Sequence, residues 1–307
     1  MRLIFNFKPA MMSDLAKGEG AVTSEPVSTS DPKQLPVVEL LMFALPHHQE
    51  RMRTIIGSSN MVQNAGCMPT IHGIACPAVG GSWSLVEHLH RTSFYAFTNM
   101  REEMLEDIHQ AALKDLTWRL PDNYMRGAGD TYFSGKLLAK LARILLIADE
   151  VGLSQTELFH GVTCGCNYHW DEENKIGSCW NRYPDCPALT DAGQNFGAGF
   201  YNDHHYHYGY HIYAAAVASK FDSSWARAFH QHVMMLIRDI ANPSDADPFF
   251  PTWRHKDWYL GFSWASGIVT HINKPFPNGR NQESVSEAIA GYEAVAMYGD
   301  VMQGKLR

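Results

Sequence analysis

The sequence predicts a mainly α-helical protein, with its helices arranged as a bundle, solenoid or toroid and preceded by a small mixed α/β region. After about residue 105, apolar residues recur at helical spacing and the connecting segments are short, which is typical of packed helices. Between residues 37 and 81, apolar runs are short and are interrupted by Gly and Pro, a pattern that favours strands.

The N-terminal residues 1–36 are predicted to form a mobile segment, because Ser, Thr, Pro, Gly and acidic residues dominate most of it. No secretory signal is visible there, since such a signal needs an apolar stretch of about 7–15 residues. The most apolar long stretch, residues 137–153, carries charges at helical spacing. It therefore indicates an amphipathic helix, and no membrane partner is predicted.

Start and stop signals define the later helices. Ser134 can cap a helix that continues to Gly152, and Asp222 or Ser223 can cap another that ends before Pro243. The predicted helices beyond the first cover residues 204–219, 223–240 and 283–298.

Composition restricts the classes of ligand. The 307 residues include 25 Lys and Arg and 32 Asp and Glu, a net charge of −7, whereas a general nucleic-acid binder needs a basic surface. No nucleic-acid partner is therefore predicted. Charged residues make up only 19% of the chain, and aromatic rings and 16 histidines are abundant. This composition favours an uncharged, hydroxyl-rich or flat ligand.

The six cysteines leave their chemistry open. Four of them could bind zinc, although their Cys-x-Cys pair is tighter than the spacing usual in structural zinc sites. Disulfides and free thiols are the other interpretations. The four clustered cysteines are Cys164, Cys166, Cys179 and Cys186, and the remaining two are Cys67 and Cys76.

A first candidate site is Asp203, where a Gly-rich loop meets a histidine-rich helix. Asn202 or Asp203 could simply cap that helix. Alternatively, aromatic rings and imidazoles could desolvate Asp203, raise its pKa and make it a catalytic acid. A metal site is the third interpretation, because His207 and His211 lie one helical turn apart.

A second candidate site contains Glu283 and Glu287. Four residues apart on a helix, they would share a face at a separation of about 6 Å. They could be solvated residues of a helix start or a functional pair, since no Lys or Arg lies within that turn. Between the two sites, residues 254–268 carry aromatic side chains, including Trp264, that could form core packing or a stacking surface for sugar rings.

At these residues the chain resembles glycoside hydrolase family 81, the endo-1,3-β-glucanases. The similarity rests on YNDHHYHYGY (201–210), DWYLGFSWASG (257–267) and NGRNQESVSEA (278–288), with support from ALPHH, WSLVE and DTYFSGK. The resemblance implies inverting hydrolysis of internal bonds in β-1,3-glucan, which would be the partner, and an extracellular or cell-wall location. It requires no metal or cofactor.

Carried over by position, the resemblance implies that Asp203 is the general acid, Glu283 the general base and Glu287 its supporting carboxylate. Inversion needs the acid and the base about 6.5–9.5 Å apart. The histidines become hydrogen-bonding groups for glucan hydroxyls, with His207 the best candidate. The other predicted substrate-binding residues are Tyr208 and Trp264.

The resemblance also implies a domain organisation. Residues 37–128 are expected to form a small α/β linking region, and residues 129–307 an incomplete (α/α)6 barrel. By comparison with the family pattern, the sequence is expected to be truncated at both ends. The alternative functions are a β-glucan-binding fragment without catalysis and, less favoured, a histidine-ligated metal enzyme.

Overall fold

A computed structural model describes residues 2–6, 40–53, 66–80, 82–86, 92–118, 131–153, 191, 193–265 and 281–303. The chain divides into two compact units, residues 1–91 and 92–307. The helices predominate and the sheets are small, as the sequence predicts. The predicted domain boundaries at residues 36 and 128 both lie outside the described residues and stay predictions.

The first unit consists of small antiparallel sheets and one helix. Strand β1 pairs with β5, and the second sheet has the order β2-β4-β3. The elements are β1 (Arg2–Asn6), β2 (Leu40–Ala44), α1 (Pro46–Arg53), β3 (Met68–Thr70), β4 (Gly73–Gly80) and β5 (Ser82–Val86).

Two details of this unit differ from the sequence prediction. Residues 2–6 form a paired strand within the segment predicted to be mobile, while residues 7–36 lie outside the described residues. The apolar run that begins at Val37 ends as a strand at Ala44, and helix α1 begins at Pro46. Pro46 suits that position because the first helical residue needs no N–H donor.

One disulfide, between Cys67 and Cys76, joins the residue before β3 to β4. This pairing decides between the interpretations left open by the sequence for these two cysteines. The four clustered cysteines, with the zinc site they could form, lie outside the described residues.

The second unit is built from helices around one central helix. Its elements are α2 (Glu102–Asp115), α3 (Thr131–Glu150), a short 3-10 segment (Gln194–Phe200), α4 (His204–Phe221), α5 (Ser223–Ala241), β6 (Lys256–Asp257), β7 (Phe262–Ser263) and α6 (Val285–Gln303). In this described part of the chain, as in the first unit, no helix is long and apolar enough to cross a membrane.

The predicted ends of α4 and α5 agree with the structure to within two residues, whereas α6 begins two residues later and ends five residues later than predicted. Asp222 caps α5, since its Oδ1 accepts hydrogen bonds from the backbone N–H groups of Ser224 and Trp225 at 2.8 and 3.0 Å. The predicted cap at Ser134 is wrong, because α3 already begins at Thr131. The backbone N–H of Thr131, the first in α3, instead donates to Oδ1 of Asn195 at 2.8 Å. Asn195 is distant in the sequence, so no local pattern predicts this cap.

Helix α4 is buried on several sides because it packs against α3, α5 and α6. One apolar core joins α4, α5 and α6, and includes Ile212, Val233, Ile240, Ala294 and Tyr298. A second core joins α4 to α2 and α3 through Val217, Ala112 and Leu146. Burial of these apolar side chains is the main stabilising contribution to the helical unit.

Helices α4 and α6 cross in very close contact at two glycines. A Cβ atom added to Gly209 would lie 2.5 Å from the Cα of Gly291. A Cβ added to Gly291 would lie 2.4 Å from the backbone carbonyl oxygen of His205. Both neighbours are backbone atoms, so a larger side chain would force the two helices apart.

We therefore expect Gly291→Ala to lower the free energy of unfolding by about 3 kcal/mol, the upper part of the range for overpacking. Gly299→Ala is the matched control, because Gly299 lies in the same helix and a Cβ there has nothing within 4 Å. The control should stabilise the protein by about 0.5–1 kcal/mol. Urea unfolding measures both, and equal effects of the two variants would contradict the close crossing.

Candidate active site

Asp203 immediately precedes α4 and has a left-handed backbone conformation, with φ of 56°. Its backbone N–H donates to the carbonyl of Ala265 at 2.8 Å, and its carbonyl accepts from the N–H groups of Tyr206 and His207 at 2.9 Å. Hydrogen bonds therefore hold both the N–H and the carbonyl of Asp203, and this fixed backbone sets the direction of its carboxyl group.

The Asp203 side chain does not cap the helix, so the capping interpretation is wrong for this residue. Its Oδ1 is buried and has no hydrogen-bond partner among the described residues. Burial raises the pKa of Asp203 to about 7, and the negative charges of Glu283 and Glu287 add to this effect. A carboxyl in these surroundings keeps its proton near neutral pH and can donate it.

Glu283 lies outside the helix that was predicted to carry it. Helix α6 begins at Val285, and Glu283 sits before it, exposed and with φ of 56°. The prediction that Glu283 and Glu287 share a helical face is therefore wrong. A left-handed residue interrupts the helical path, and this interruption turns Glu283 away from the helix surface.

Tyr206 connects the two carboxyl-bearing segments. Its hydroxyl donates to the carbonyl of Gln282 and accepts from the N–H of Ser284 at 3.1 Å, so it bonds to the residues on either side of Glu283. Because Tyr206 lies in the first turn of α4, close to Asp203, its hydroxyl fixes the base segment relative to the acid. No pattern in the sequence indicated that Tyr206 holds the segment that carries Glu283.

Glu287 lies in the first turn of α6 among hydrogen-bond donors. Its Oε1 accepts from the hydroxyls of Tyr132 and Tyr210 at 2.8 and 2.7 Å and lies 4.0 Å from Nζ of Lys136. Burial alone would raise the pKa of Glu287. The hydrogen bonds from Tyr210, Tyr132 and Ser284 and the charge of Lys136 outweigh it, so the pKa is lowered.

The neutralising cation was not visible in the sequence, because Lys136 comes from α3 and not from the turn that contains Glu287. The charges come together because α3 and α6 both pack against α4. At neutral pH, Glu287 is ionised while Asp203 can hold a proton, and such separation of two nearby carboxyls is typical of sites that perform acid–base chemistry.

His207 and His211 both contact the start of α3. Nδ1 of His207 lies 2.6 Å from the Thr131 hydroxyl, and Nε2 of His211 lies 2.9 Å from the Thr131 carbonyl. His207 is only 1% exposed, and burial lowers its pKa to about 3. Direct contact of His207 with substrate stays a prediction. No group of three potential metal ligands occurs in the described parts of the chain.

The remaining predicted binding residues lie on two different elements. Tyr208 packs against the core of the helical unit, with its ring 4.7 Å from that of His204. Trp264 follows β7 and donates from its indole nitrogen to Oδ2 of Asp257 at 3.1 Å. Their contacts with substrate also stay predictions.

A buried ionic network begins at His204, the residue that follows Asp203, and was not predicted from the sequence. Arg254 donates to Oδ1 of Asp239 at 2.6 and 3.1 Å, and Nδ1 of His204 lies 2.5 Å from Oδ2. Nε2 of His204 lies 2.7 Å from the carbonyl of Ala198. The sequence did offer one indication of this network, because the charged Asp239 lies between the buried Ile237 and Ile240.

The raised pKa of Asp203 predicts a pH-dependent stability effect. The folded state holds the proton more tightly than the unfolded state, so this contribution is present below about pH 4 and is lost as pH rises through about 7. Asp203→Asn should therefore gain unfolding free energy relative to the wild type between pH 4 and pH 8. The gain is up to about 4 kcal/mol, because each unit of pKa difference is worth about 1.4 kcal/mol.

Asp247 provides a control of opposite sign. Its pKa is lowered by a hydrogen bond from the Phe249 N–H and by the Arg238 guanidinium, so Asp247→Asn should lose relative stability as the pH rises toward about 4 and should show no further relative change between about pH 4 and pH 8. Urea unfolding at a series of pH values measures both variants. The same slope for both would contradict a protonated Asp203.

Comparison with known proteins assigns the helical part of the chain. Residues 99–306 match the model described as the glycosyl hydrolase family 81 C-terminal domain. A glucan endo-1,3-beta-D-glucosidase of Glycine max is 31% identical over 275 residues, which cover 85% of this chain and 39% of that protein. One of Arthroderma benhamiae is 31% identical over 280 residues, with coverage of 85% and 30%.

A solved structure, a glycoside hydrolase family 81 protein from Clostridium thermocellum, is similar with a TM-score of 0.63 and 26% identity, over 89% of this chain and 37% of that one. The chain thus spans less than half the length of these relatives. The family match nevertheless covers most of the sequence, including the segments that carry Asp203, Glu283 and Glu287. The chain belongs to glycosyl hydrolase family 81.

Proposed function

We propose that this chain carries the active site of an endo-acting glycoside hydrolase that cleaves internal 1,3-β-glucosidic bonds in β-glucan with inversion. The observation that supports this most directly is the electrostatic contrast at the site. Asp203 is partly buried, has one buried and unpartnered oxygen and has a pKa of about 7, while Glu287 nearby is held ionised. The names of the relatives supply the substrate class.

In this mechanism Asp203 donates its proton to the glycosidic oxygen as the bond from that oxygen to the anomeric carbon breaks. Glu283 removes a proton from a water molecule, whose oxygen attacks the anomeric carbon from the opposite face. The proton lost by Asp203 is balanced by the one gained by Glu283. An attack from the opposite face inverts the configuration. The exposed position of Glu283 leaves it accessible to such a water.

Glu287 supports the base in this proposal. Both phenols and the ammonium group approach Oε1, which keeps the carboxylate ionised. The ionised Glu287 can orient the attacking water or keep Glu283 as the stronger proton acceptor. The negative charge of Glu287 also raises the pKa of Asp203, so the same group favours the protonated acid.

The substrate is an uncharged polysaccharide, which fits a chain with 19% charged residues. Tyr208, Trp264 and His207 are proposed to bind its sugar rings and hydroxyls. The helices of the second unit are proposed to belong to an (α/α)6 toroid. An extracellular or cell-wall location is proposed as well, and the Cys67–Cys76 disulfide supports it, since disulfides persist in oxidising compartments.

Substitution of the acid and the base tests the mechanism. Asp203→Asn and Glu283→Gln should each lower the release of reducing ends from laminarin by about 10²–10⁴-fold, the usual contribution of a general acid or base. Glu293→Gln, in helix α6 beyond Glu287, is the control and should keep full activity. NMR of the first products should show the α-anomer.

Survival of activity in both carboxyl variants, or a β-anomeric product, would overturn the mechanism. A wild-type chain that binds laminarin without releasing reducing ends would support the alternative function, a β-glucan-binding fragment.

The pH dependence of kcat/KM tests Asp203 directly. Because the reaction needs its proton, kcat/KM should fall as the pH rises through about 7, the pKa of Asp203. The residual activity of Asp203→Asn should lack this decline. A wild-type profile that stays level up to pH 9 would contradict Asp203 as the acid.

A further inference from the structure

Two phenylalanine rings are half exposed beside the candidate active site. Phe133 is 51% exposed and Phe196 is 49% exposed, and their ring centroids lie 5.9 Å apart. Tyr132 lies 5.3 Å from the first ring and 5.4 Å from the second. We call these three rings the aromatic platform. Large apolar rings grouped at a surface mark a binding site more often than isolated ones do.

The backbone that presents Phe196 adopts an unfavourable conformation. Asn195, Phe196 and Gly197 are successive residues with φ of 50°, 53° and 75°. A bulky aromatic residue rarely adopts a positive φ, and such a conformation is strained. Strain of this kind persists where the surroundings enforce it, and it concentrates at functional sites.

The enforcing contact is the cap of helix α3. Oδ1 of Asn195 accepts hydrogen bonds from both the N–H and the hydroxyl of Thr131, at 2.8 and 3.2 Å. This places Phe196 over the first turn of α3, next to the platform's other two residues. The left-handed turn thus serves two purposes, since it satisfies a helix end and directs the Phe196 ring toward the surface.

The platform adjoins the catalytic carboxylates through Tyr132. The hydroxyl of Tyr132 donates to Glu287 at 2.8 Å, while its ring contacts those of Phe133 and Phe196. A sugar ring bound on the platform would therefore lie close to Glu287, the proposed supporting carboxylate. Neither Phe133 nor Phe196 was identified from the sequence.

We propose that Phe133 and Phe196 form a stacking subsite for a glucosyl unit of the β-1,3-glucan chain next to the scissile bond. This inference rests on the proposed function. A pyranose presents an apolar C–H face that packs against aromatic rings, and its hydroxyls point outward to polar groups. Glu287 beside the platform is paired with Lys136, and a glucan carries no charge that would compete with this pair.

Isothermal titration with laminarihexaose tests the subsite, in an Asp203→Asn background that prevents cleavage. Phe196→Ala and Phe133→Ala should each weaken binding by about tenfold, as expected for loss of a central aromatic contact. Phe196→Tyr should retain wild-type affinity because the ring remains. Phe249→Ala is the matched control, since Phe249 is 80% exposed but is not part of the platform.

The outcomes separate the two proposals. Binding by the background protein with no loss in Phe196→Ala and Phe133→Ala would overturn the subsite and leave the proposed function standing. No binding by the background protein would overturn both. Phe133→Ala replaces an exposed helical side chain, so it decides the question if Phe196→Ala fails to fold. Dissociation of a dimer by Phe196→Ala, with unchanged affinity, would instead identify a self-association surface and overturn the subsite.

Discussion

The close crossing of α4 and α6 at Gly209 and Gly291 is the constraint on which the site depends. With no side chain on either residue, the backbones meet directly, and the N-terminal ends of the two helices come together. Asp203 precedes one helix and Glu283 precedes the other. The Tyr206 hydroxyl can bond on both sides of Glu283 only at this separation. A wider crossing would separate the proposed acid from the base and from its supporting carboxylate.

The three carboxyls of the site differ in protonation and exposure because each has a different backbone conformation and different neighbours. One oxygen of Asp203 is buried and unpartnered, which favours the protonated form of the carboxyl. Glu287 receives two phenolic donors and a nearby ammonium group, which favour its ionised form. Glu283 is left exposed by its left-handed conformation. Differences in environment, and not in residue type, therefore allow one protein site to hold an acid beside a base.

The sequence predicted what local patterns determine. Periodicity located α5, and Asp222 was one of the two residues expected to cap it. The motifs identified the family. The sequence did not predict contacts between distant segments. Two examples are Asn195 as the cap of α3 and Lys136 beside Glu287. The positive φ of Glu283 was missed for the same reason, because tertiary bonds from Tyr206 to its neighbours override the helical pattern.

The histidines of α4 explain how the helix can be buried and still fix its surroundings. His204 bonds to Asp239 of α5 and to the carbonyl of Ala198, and His207 and His211 bond to Thr131 of α3. His205 stacks on His255 at 4.3 Å, and burial lowers its pKa to about 3, so it packs as a neutral ring. An aliphatic side chain would fill these positions but could not form the hydrogen bonds that orient the neighbouring segments. The imidazoles thus connect α3, α5 and the adjoining loops to the turn that carries Asp203, and the position of the proposed acid is set from several sides.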